Sequence, residues 1–164
     1  MKVNESGSVR HFSSIAADFE KVEPSTPELL LVEDDETDIL FVSRCLAKAD
    51  SALPLVIARD GLEALDILRK GRAEGRHFVI LTDLNMPGMS GHEMIAEIRG
   101  DTTLSDLVIF VLSSSSLAGD IRRAYSQNVA GYLSKQGSIE QEKLNIAVVA
   151  DYCRVVNLPR PEQH

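Results

Sequence analysis

Three consecutive acids, Glu33-Asp34-Asp35, follow the apolar run Leu29-Leu30-Leu31-Val32, and a fourth, Asp83, follows Phe78-Val79-Ile80-Leu81-Thr82. Short continuous apolar runs are the pattern of strands buried on both faces, and their carboxyl ends open onto the functional crevice of a parallel sheet. Three or four carboxylates are therefore expected to converge at one place. Crowded carboxylates repel one another and raise one another's pKa values, which costs stability unless a cation sits among them. Mg2+ is the simplest remedy, because it takes a few carboxylates and a backbone carbonyl while keeping positions open for water or phosphate oxygens. Two further runs end in complementary groups: Leu107 to Leu112 leads into Ser113, and Ala130 to Leu133 leads into Ser134-Lys135. A carboxylate attacking a phosphoryl group needs the phosphoryl oxygens neutralised and positioned, and a hydroxyl and an ammonium group have that chemistry. Asp35 and Glu36 read instead as acids at a helix N-terminus, where a cap and the helix dipole favour them.

The elements that position these groups follow from the alternation of apolar runs with amphipathic stretches, strand then helix, five times. Strands are predicted at Leu29 to Glu33, Leu55 to Ala58, Phe78 to Thr82, Leu107 to Leu112 and Ala130 to Leu133. Helices are predicted near Thr37 to Ala49, Gly61 to Lys70, Gly91 to Arg99, Leu117 to Gln127 and Ile139 to Cys153. Ile39, Val42 and Leu46 recur at helical spacing in the first helix, and Leu62, Leu65 and Leu68 in the second. The expected fold is α/β, a flavodoxin-like doubly wound five-stranded parallel sheet of order 2-1-3-4-5 with five helices. Its switch point lies between strands one and three, where Glu33, Asp34 and Asp83 end their runs.

The chain of 164 residues suits one compact domain with little left over. Residues 1–27 read as an extension and linker ending in Pro24-Ser25-Thr26-Pro27, residues 28–156 as the domain and residues 157–164 as a tail. Within the extension, Phe12, Ile15, Ala16 and Phe19 have the spacing of a short amphipathic helix. Lys plus Arg number 17 against 25 Asp plus Glu, a net charge of -8 that argues against a phosphate-backbone footprint on nucleic acid. No apolar stretch approaches the roughly 20 residues of a membrane span, and the amino terminus lacks a signal-peptide core, so a cytoplasmic protein is expected. Cys45 and Cys153 have no C-x-x-C spacing and read as reduced structural thiols. The four histidines, His92 among them, show no metal-ligand spacing and read as surface residues. Neither nucleotide-binding glycine motif is present. A catalytic-aspartate phosphatase is disfavoured because the second position after Asp83 is Asn85 and no cap domain fits the remaining length.

Together, Val32-Glu33-Asp34, the run Asp83-Leu84-Asn85-Met86-Pro87-Gly88-Met89-Ser90-Gly91, Ser113 and Lys135 closely resemble the receiver domain of two-component response regulators, over about residues 28–153. Ser113 stands 30 residues after Asp83, and Tyr132 and Lys135 stand 19 and 22 after Ser113, as in the chemotaxis receiver. The resemblance implies that Asp83 is the phosphoacceptor and that Glu33, Asp34, Asp83 and the Asn85 carbonyl hold Mg2+. It also implies that Ser113 and Lys135 bind the phosphoryl group and that Tyr132 is the aromatic switch. The output would be a reshaped surface of helix four, strand five and helix five, and the chemistry self-catalysed transfer and hydrolysis rather than metabolic catalysis. Two positions depart from the family: Gln136 follows Lys135 where Pro is usual, and Ser113 replaces the commoner Thr.

No output domain is apparent after the receiver, so the expected readout is protein to protein. The acidic Glu36-Thr37-Asp38, the Lys without Pro and the tail from Tyr152 to Pro159 look like regulators that serve bacterial phytochrome histidine kinases, which would be the phosphodonor. Ile146-Ala147-Val148-Val149-Ala150 with Tyr152, Val155 and Val156 puts apolar residues around the whole of helix five, more than one face of a sheet needs. A homodimer through that helix is the expected use, because a two-fold interface is self-complementary. The alternative is an adaptor of receiver fold that binds partners constitutively. Asn85 and Ser115, close to the site, are expected to tune hydrolysis by admitting or excluding water.

Overall fold

A computed structural model describes residues 26–159 apart from Ser51. The amphipathic spacing from Phe12 to Phe19 and the last residues of the tail lie outside the described residues. Five strands and five helices alternate: β1 (Glu28–Val32), α1 (Glu36–Ala49), β2 (Leu55–Ala58), α2 (Gly61–Ala73), β3 (Phe78–Thr82), α3 (Gly91–Gly100), β4 (Val108–Ser113), α4 (Ala118–Ser126), β5 (Gly131–Ser134) and α5 (Ile139–Val155). The strands form one parallel sheet of order β2-β1-β3-β4-β5, the expected doubly wound arrangement.

Side chains of a strand alternate between faces, and both faces are covered. Leu30, Val32, Ile80, Ile109 and Val111 pack with α2 and α3 residues such as Leu68, Met94 and Ile95. Leu29, Leu31, Val79, Leu81 and Phe110 pack with α1 and α5 through Ile39, Val42, Leu46, Ile146 and Val149. All five residues of β3 are buried, as the centre of a two-faced sheet requires. Four helix starts carry side-chain caps, α4 with Leu117 at its cap being the exception: Asp35 accepts from the Asp38 amide, Asp60 from Glu63 and Ser138 from Gln141, and Ser90 forms a full capping box with Glu93. Asp35 is thus the cap its sequence position suggests.

Three expectations need correction. Leu62 is 64% exposed. The buried stripe of α2 is Gly61, Ala64, Leu65 and Leu68, at i, i+3, i+4 and i+7, so Leu62 starts the helix on its outer side. The same helix continues to Ala73, past Lys70, and Gly71 within it lies under the Phe78 ring where a β-carbon would collide. His92 is buried, at 6% exposure, because the first turn of α3 faces α4 and Gln127 receives its ring. On α5 the apolar residues divide into a buried face (Ile146, Val149, Ala150, Cys153) and an exposed set (Leu144, Val148, Val155). Both cysteines are free thiols, Cys45 half-buried and Cys153 buried.

Candidate functional site

The sheet register aligns the strand ends that carry the chemistry. Val32 of β1 pairs with Thr82 of β3, Thr82 with Val111 of β4, and Ser113 of β4 with Ser134 of β5. The residues just beyond these pairs, Glu33, Asp83 and Lys135, emerge at one edge. Glu33 is 3% exposed, Asp83 8%, and Ser113 is fully buried, whereas Asp34 and Asn85 are exposed at the rim.

Lys135 is the hub. Its Nζ donates to Glu33 Oε2 at 2.6 Å, Asp38 Oδ2 at 2.7 Å and Asp83 Oδ2 at 3.2 Å. Burial by itself would lower the pKa of the ammonium, but the bonds to Asp38 and Glu33 and the charge of Asp83 outweigh it and hold it above the ordinary lysine value. Burial pushes Glu33 up, against the opposing effect of its bond to Lys135. The other Asp83 oxygen accepts from the Leu84 amide at 2.6 Å and, more weakly, from the Asn85 amide at 3.4 Å. Glu33 Oε1 accepts from the Asp35 amide at 3.1 Å. The loop after β3 is pinned by the Gly91 amide donating to the Leu84 carbonyl at 2.9 Å. A β-carbon at Gly91 would collide with the Asp83 carbonyl oxygen, so only glycine lets α3 approach this closely.

The hydroxyl side of the site is equally connected. Ser113 Oγ accepts from the Ser115 amide at 3.2 Å, and the Ser113 carbonyl accepts from the Lys135 amide at 2.9 Å. Tyr132, half-buried on β5, donates from its hydroxyl to the Ser115 carbonyl at 2.8 Å. Gln136, in the place where proline is usual, donates from Nε2 to the Ser114 carbonyl at 2.7 Å and so ties the loop after β5 to the loop after β4.

The acids, the hydroxyl and the ammonium predicted for the site thus lie at this edge in two tiers, with Tyr132 tied to it through the Ser115 carbonyl. Glu33, Asp83, Ser113 and Lys135 form a buried centre, while Asp34 and Asn85 stand at the rim. Asp38 was missed as a member of the site: its place on the first turn of α1, three residues after the cap Asp35, is the available signal. Away from this edge, at the opposite end of the sheet, Arg99 has a structural role that the sequence did not signal. Its guanidinium donates to the carbonyls of Gln127, Ser105, Leu107 and Asn128, closing the lower loops of α3, β4 and α4 on one another.

The donors fit Mg2+ chemically. Glu33, Asp38 and Asp83 are three carboxylates around one ammonium, and with Asp34 and the Asn85 carbonyl at the rim they offer hard oxygens only. Among the described residues no three acidic or imidazole side chains already stand as a closed cage, since the Lys135 ammonium lies between Glu33 and Asp83. The excess negative charge is what a divalent cation would offset.

Residues 29–148 match the family described as the response regulator receiver domain. The response regulator Rcp1 of Synechocystis sp. is 33% identical over 135 residues, covering 80% of this chain and 92% of Rcp1. The crystal structure of the phosphorylated cyanobacterial phytochrome response regulator RcpA superposes with a TM-score of 0.74 at 32% identity, covering 82% of this chain and 99% of RcpA. The Mn2+-bound form of Rcp1 superposes with a TM-score of 0.72 at 31% identity, covering 81% of this chain and 99% of Rcp1.

Proposed function

Because this chain belongs to the response regulator receiver family, we propose that it is a phosphorylation switch whose phosphoacceptor is Asp83. The observation that carries this reading is the buried Asp83 carboxylate at the end of the central strand, 3.2 Å from the Lys135 ammonium and one strand from the Ser113 hydroxyl. A carboxylate so placed is desolvated and held in one orientation by the Leu84 amide, which leaves Oδ2 as the attacking oxygen.

The donor is a phosphohistidine of a sensor kinase. Asp83 Oδ2 attacks its phosphorus, the new O–P bond forms as the N–P bond breaks, and the imidazole leaves. Lys135 and Ser113 bind phosphoryl oxygens as charge is redistributed. Glu33, Asp34, Asp83 and the Asn85 carbonyl would hold Mg2+, which supplies charge neutralisation on the phosphoryl group when bound. Later, water attacks the phosphorus, the O–P bond breaks, inorganic phosphate and a proton are released, and the Asp83 carboxylate returns. Asn85, exposed at the rim, and Ser115, bonded to Ser113 Oγ, would tune this step by admitting or excluding that water.

An aspartyl phosphate adds roughly two negative charges and strong acceptors to the crevice. Ser113 and Lys135 are drawn to them, and Tyr132, bonded to the Ser115 carbonyl, follows the same loop. The output is the surface of α4, β5 and α5, read by a partner protein. The likeness to a phytochrome response regulator supports a phytochrome histidine kinase as donor, and the exposed Leu144, Val148 and Val155 of α5 support a homodimer.

The deciding experiment is intact mass after incubation with a small-molecule phosphodonor, with and without Mg2+, for the native chain and Asp83→Asn. One phosphoryl group is expected on the native chain with Mg2+ and none on the variant. Absence of a phosphoryl group on the native chain, or its presence on Asp83→Asn, would replace this reading with that of a constitutive adaptor.

A further inference from the structure

The chemistry above leaves one buried titratable ring unused. His92, on the first turn of α3, faces Gln127 at the C-terminal cap of α4: its Nδ1 lies 2.9 Å from Gln127 Oε1, and Gln127 Nε2 donates to the His92 carbonyl at 3.0 Å. The second bond fixes the amide, because only its nitrogen donates. Oε1, which only accepts, therefore meets the ring, so Nδ1 must carry the ring proton; this tautomer is assigned from the bonding pattern. The opposite nitrogen, Nε2, is buried without a hydrogen-bond partner and lies 3.8 Å from Asp120 Oδ1 on α4. With Nδ1 committed, Nε2 facing a carboxylate either opposes lone pair to lone pair or carries a second proton and attracts Asp120.

Asp120 leads directly to the switch. Its other oxygen accepts from Ser115 Oγ at 2.5 Å. Ser115 in turn holds the Ser113 hydroxyl through its amide and the Tyr132 hydroxyl through its carbonyl. We infer that His92 is a positioning residue: closing Nε2 onto Asp120 changes the hold of Asp120 on Ser115 and so sets where Ser113 and Tyr132 stand. This rests on the reading that Ser113 and Tyr132 belong to the switch, and it makes the α3–α4 seam a regulator of it. Asp120 is the charged group paired with the ring from α4. Glu93, beside the ring on α3, is taken up by its capping box with Ser90, and Arg99 binds the Gln127 carbonyl behind the seam.

The test is a two-dimensional NMR titration of the unphosphorylated full chain over the pH range in which the ring's own resonances show His92 changing charge, with Asp120→Asn and His92→Leu as variants. The Ser115 amide resonance is expected to follow the His92 ring titration, and to lose that dependence in both variants. Asp120→Asn alters a partly exposed side chain and keeps the test available should His92→Leu not fold. A Ser115 amide that ignores the His92 titration, or that keeps the same pH dependence in Asp120→Asn, overturns the inference. On the phosphorylated chain, the dephosphorylation rate should change about fivefold across that range in the native chain and not in Asp120→Asn; a pH dependence retained by the variant also overturns it. Failure to phosphorylate the native chain would sink the reading of Asp83 alone, since the amide titration needs no phosphoryl group.

Discussion

Asp38 Oδ2 accepts a hydrogen bond from Lys135 Nζ at 2.7 Å, shorter than the 3.2 Å between that ammonium and Asp83. The first turn of α1 therefore competes with the phosphoacceptor position for the same cation. Asp38→Asn weakens the competitor while keeping its shape, and leaves Lys135 to Glu33 and Asp83. The expected result is a phosphorylated form about fivefold longer lived, or about 1 kcal/mol discounted for the exposure of Asp38. Measuring loss of the phosphoryl group by intact mass in both chains checks it, and a lifetime equal to or shorter than native would remove Asp38 from the site.

Lys135→Met takes the bonded ammonium from two buried carboxylates, Glu33 and Asp83. Breaking a buried pair from one side costs about 3 kcal/mol at neutral pH, most of it the desolvation of the carboxylates left behind. The pH dependence identifies the cause. Burial raises the Glu33 pKa above 4.5, so the folded state holds that proton more tightly than the unfolded chain, and the resulting stabilisation is complete below 4.5 and lost as pH rises through the folded value. The variant should recover part of its loss as pH falls towards 4.5. Lys135 itself has a folded pKa above 10.5, so its contribution to the native chain is complete below 10.5 and disappears at higher pH. Denaturant unfolding of both chains across this range measures both limbs.

Mg2+ should stabilise the native chain by mass action, about 2.7 kcal/mol at a hundredfold excess over its dissociation constant. Asp34, exposed at the rim and bonded to no other side chain among the described residues, is free to serve the cation. Asp34→Asn should therefore abolish most of the Mg2+-dependent rise in Tm and barely change Tm without Mg2+. An unchanged Mg2+ response would move the cation away from this edge.

Gly91→Ala tests the close approach of α3 to the loop after β3. The added β-carbon meets the Asp83 carbonyl oxygen and lies 2.8 Å from the Leu84 α-carbon, both backbone atoms that cannot swing away. A loss of about 2 kcal/mol is expected in denaturant unfolding, as for other overpacked sites. Gly100→Ala, where nothing lies within 4 Å, is the control and should be neutral or stabilising.

The strands could be read from the sequence because a strand buried on both faces has no polar alternation to confuse it: Phe78–Thr82 is wholly buried and matches its apolar run residue for residue. The four groups at the strand ends could be read for the same reason, since each simply follows such a run. Residues that join the site from helices could not. Asp38 and the cap Asp35 are both acids near a helix start; Asp35 is taken up by the Asp38 amide as the cap, and Asp38 is the one that reaches Lys135, from 97 residues away in sequence. His92 stands beside the charged Glu93 on the first turn of α3, where a surface residue is expected, and its burial depends on Gln127, 35 residues away. Leu62 went astray because 1, 4 and 7 spacing fits the α2 sequence as well as the stripe one residue earlier, and the smaller Gly61 and Ala64 mark the true inner face.

The dimer proposal rests on Leu144, Val148 and Val155 of α5, exposed at 56%, 48% and 72%. They stand at i, i+4 and i+11, and Asp151 fills the i+7 place of the same stripe, paired with Arg154. A two-fold axis across this stripe would bury each apolar residue twice and let both Asp151 carboxylates find Arg154 partners at the rim. Because every substitution counts twice in such an interface, Val148→Asp should cost about 3 kcal/mol of association, roughly a hundredfold in the dimer dissociation constant. Sedimentation over a range of concentrations, on the native chain and on the variant, reads this directly. A native chain that stays monomeric when concentrated and phosphorylated, or a variant that dimerises as well as native, would leave this stripe to a different partner protein.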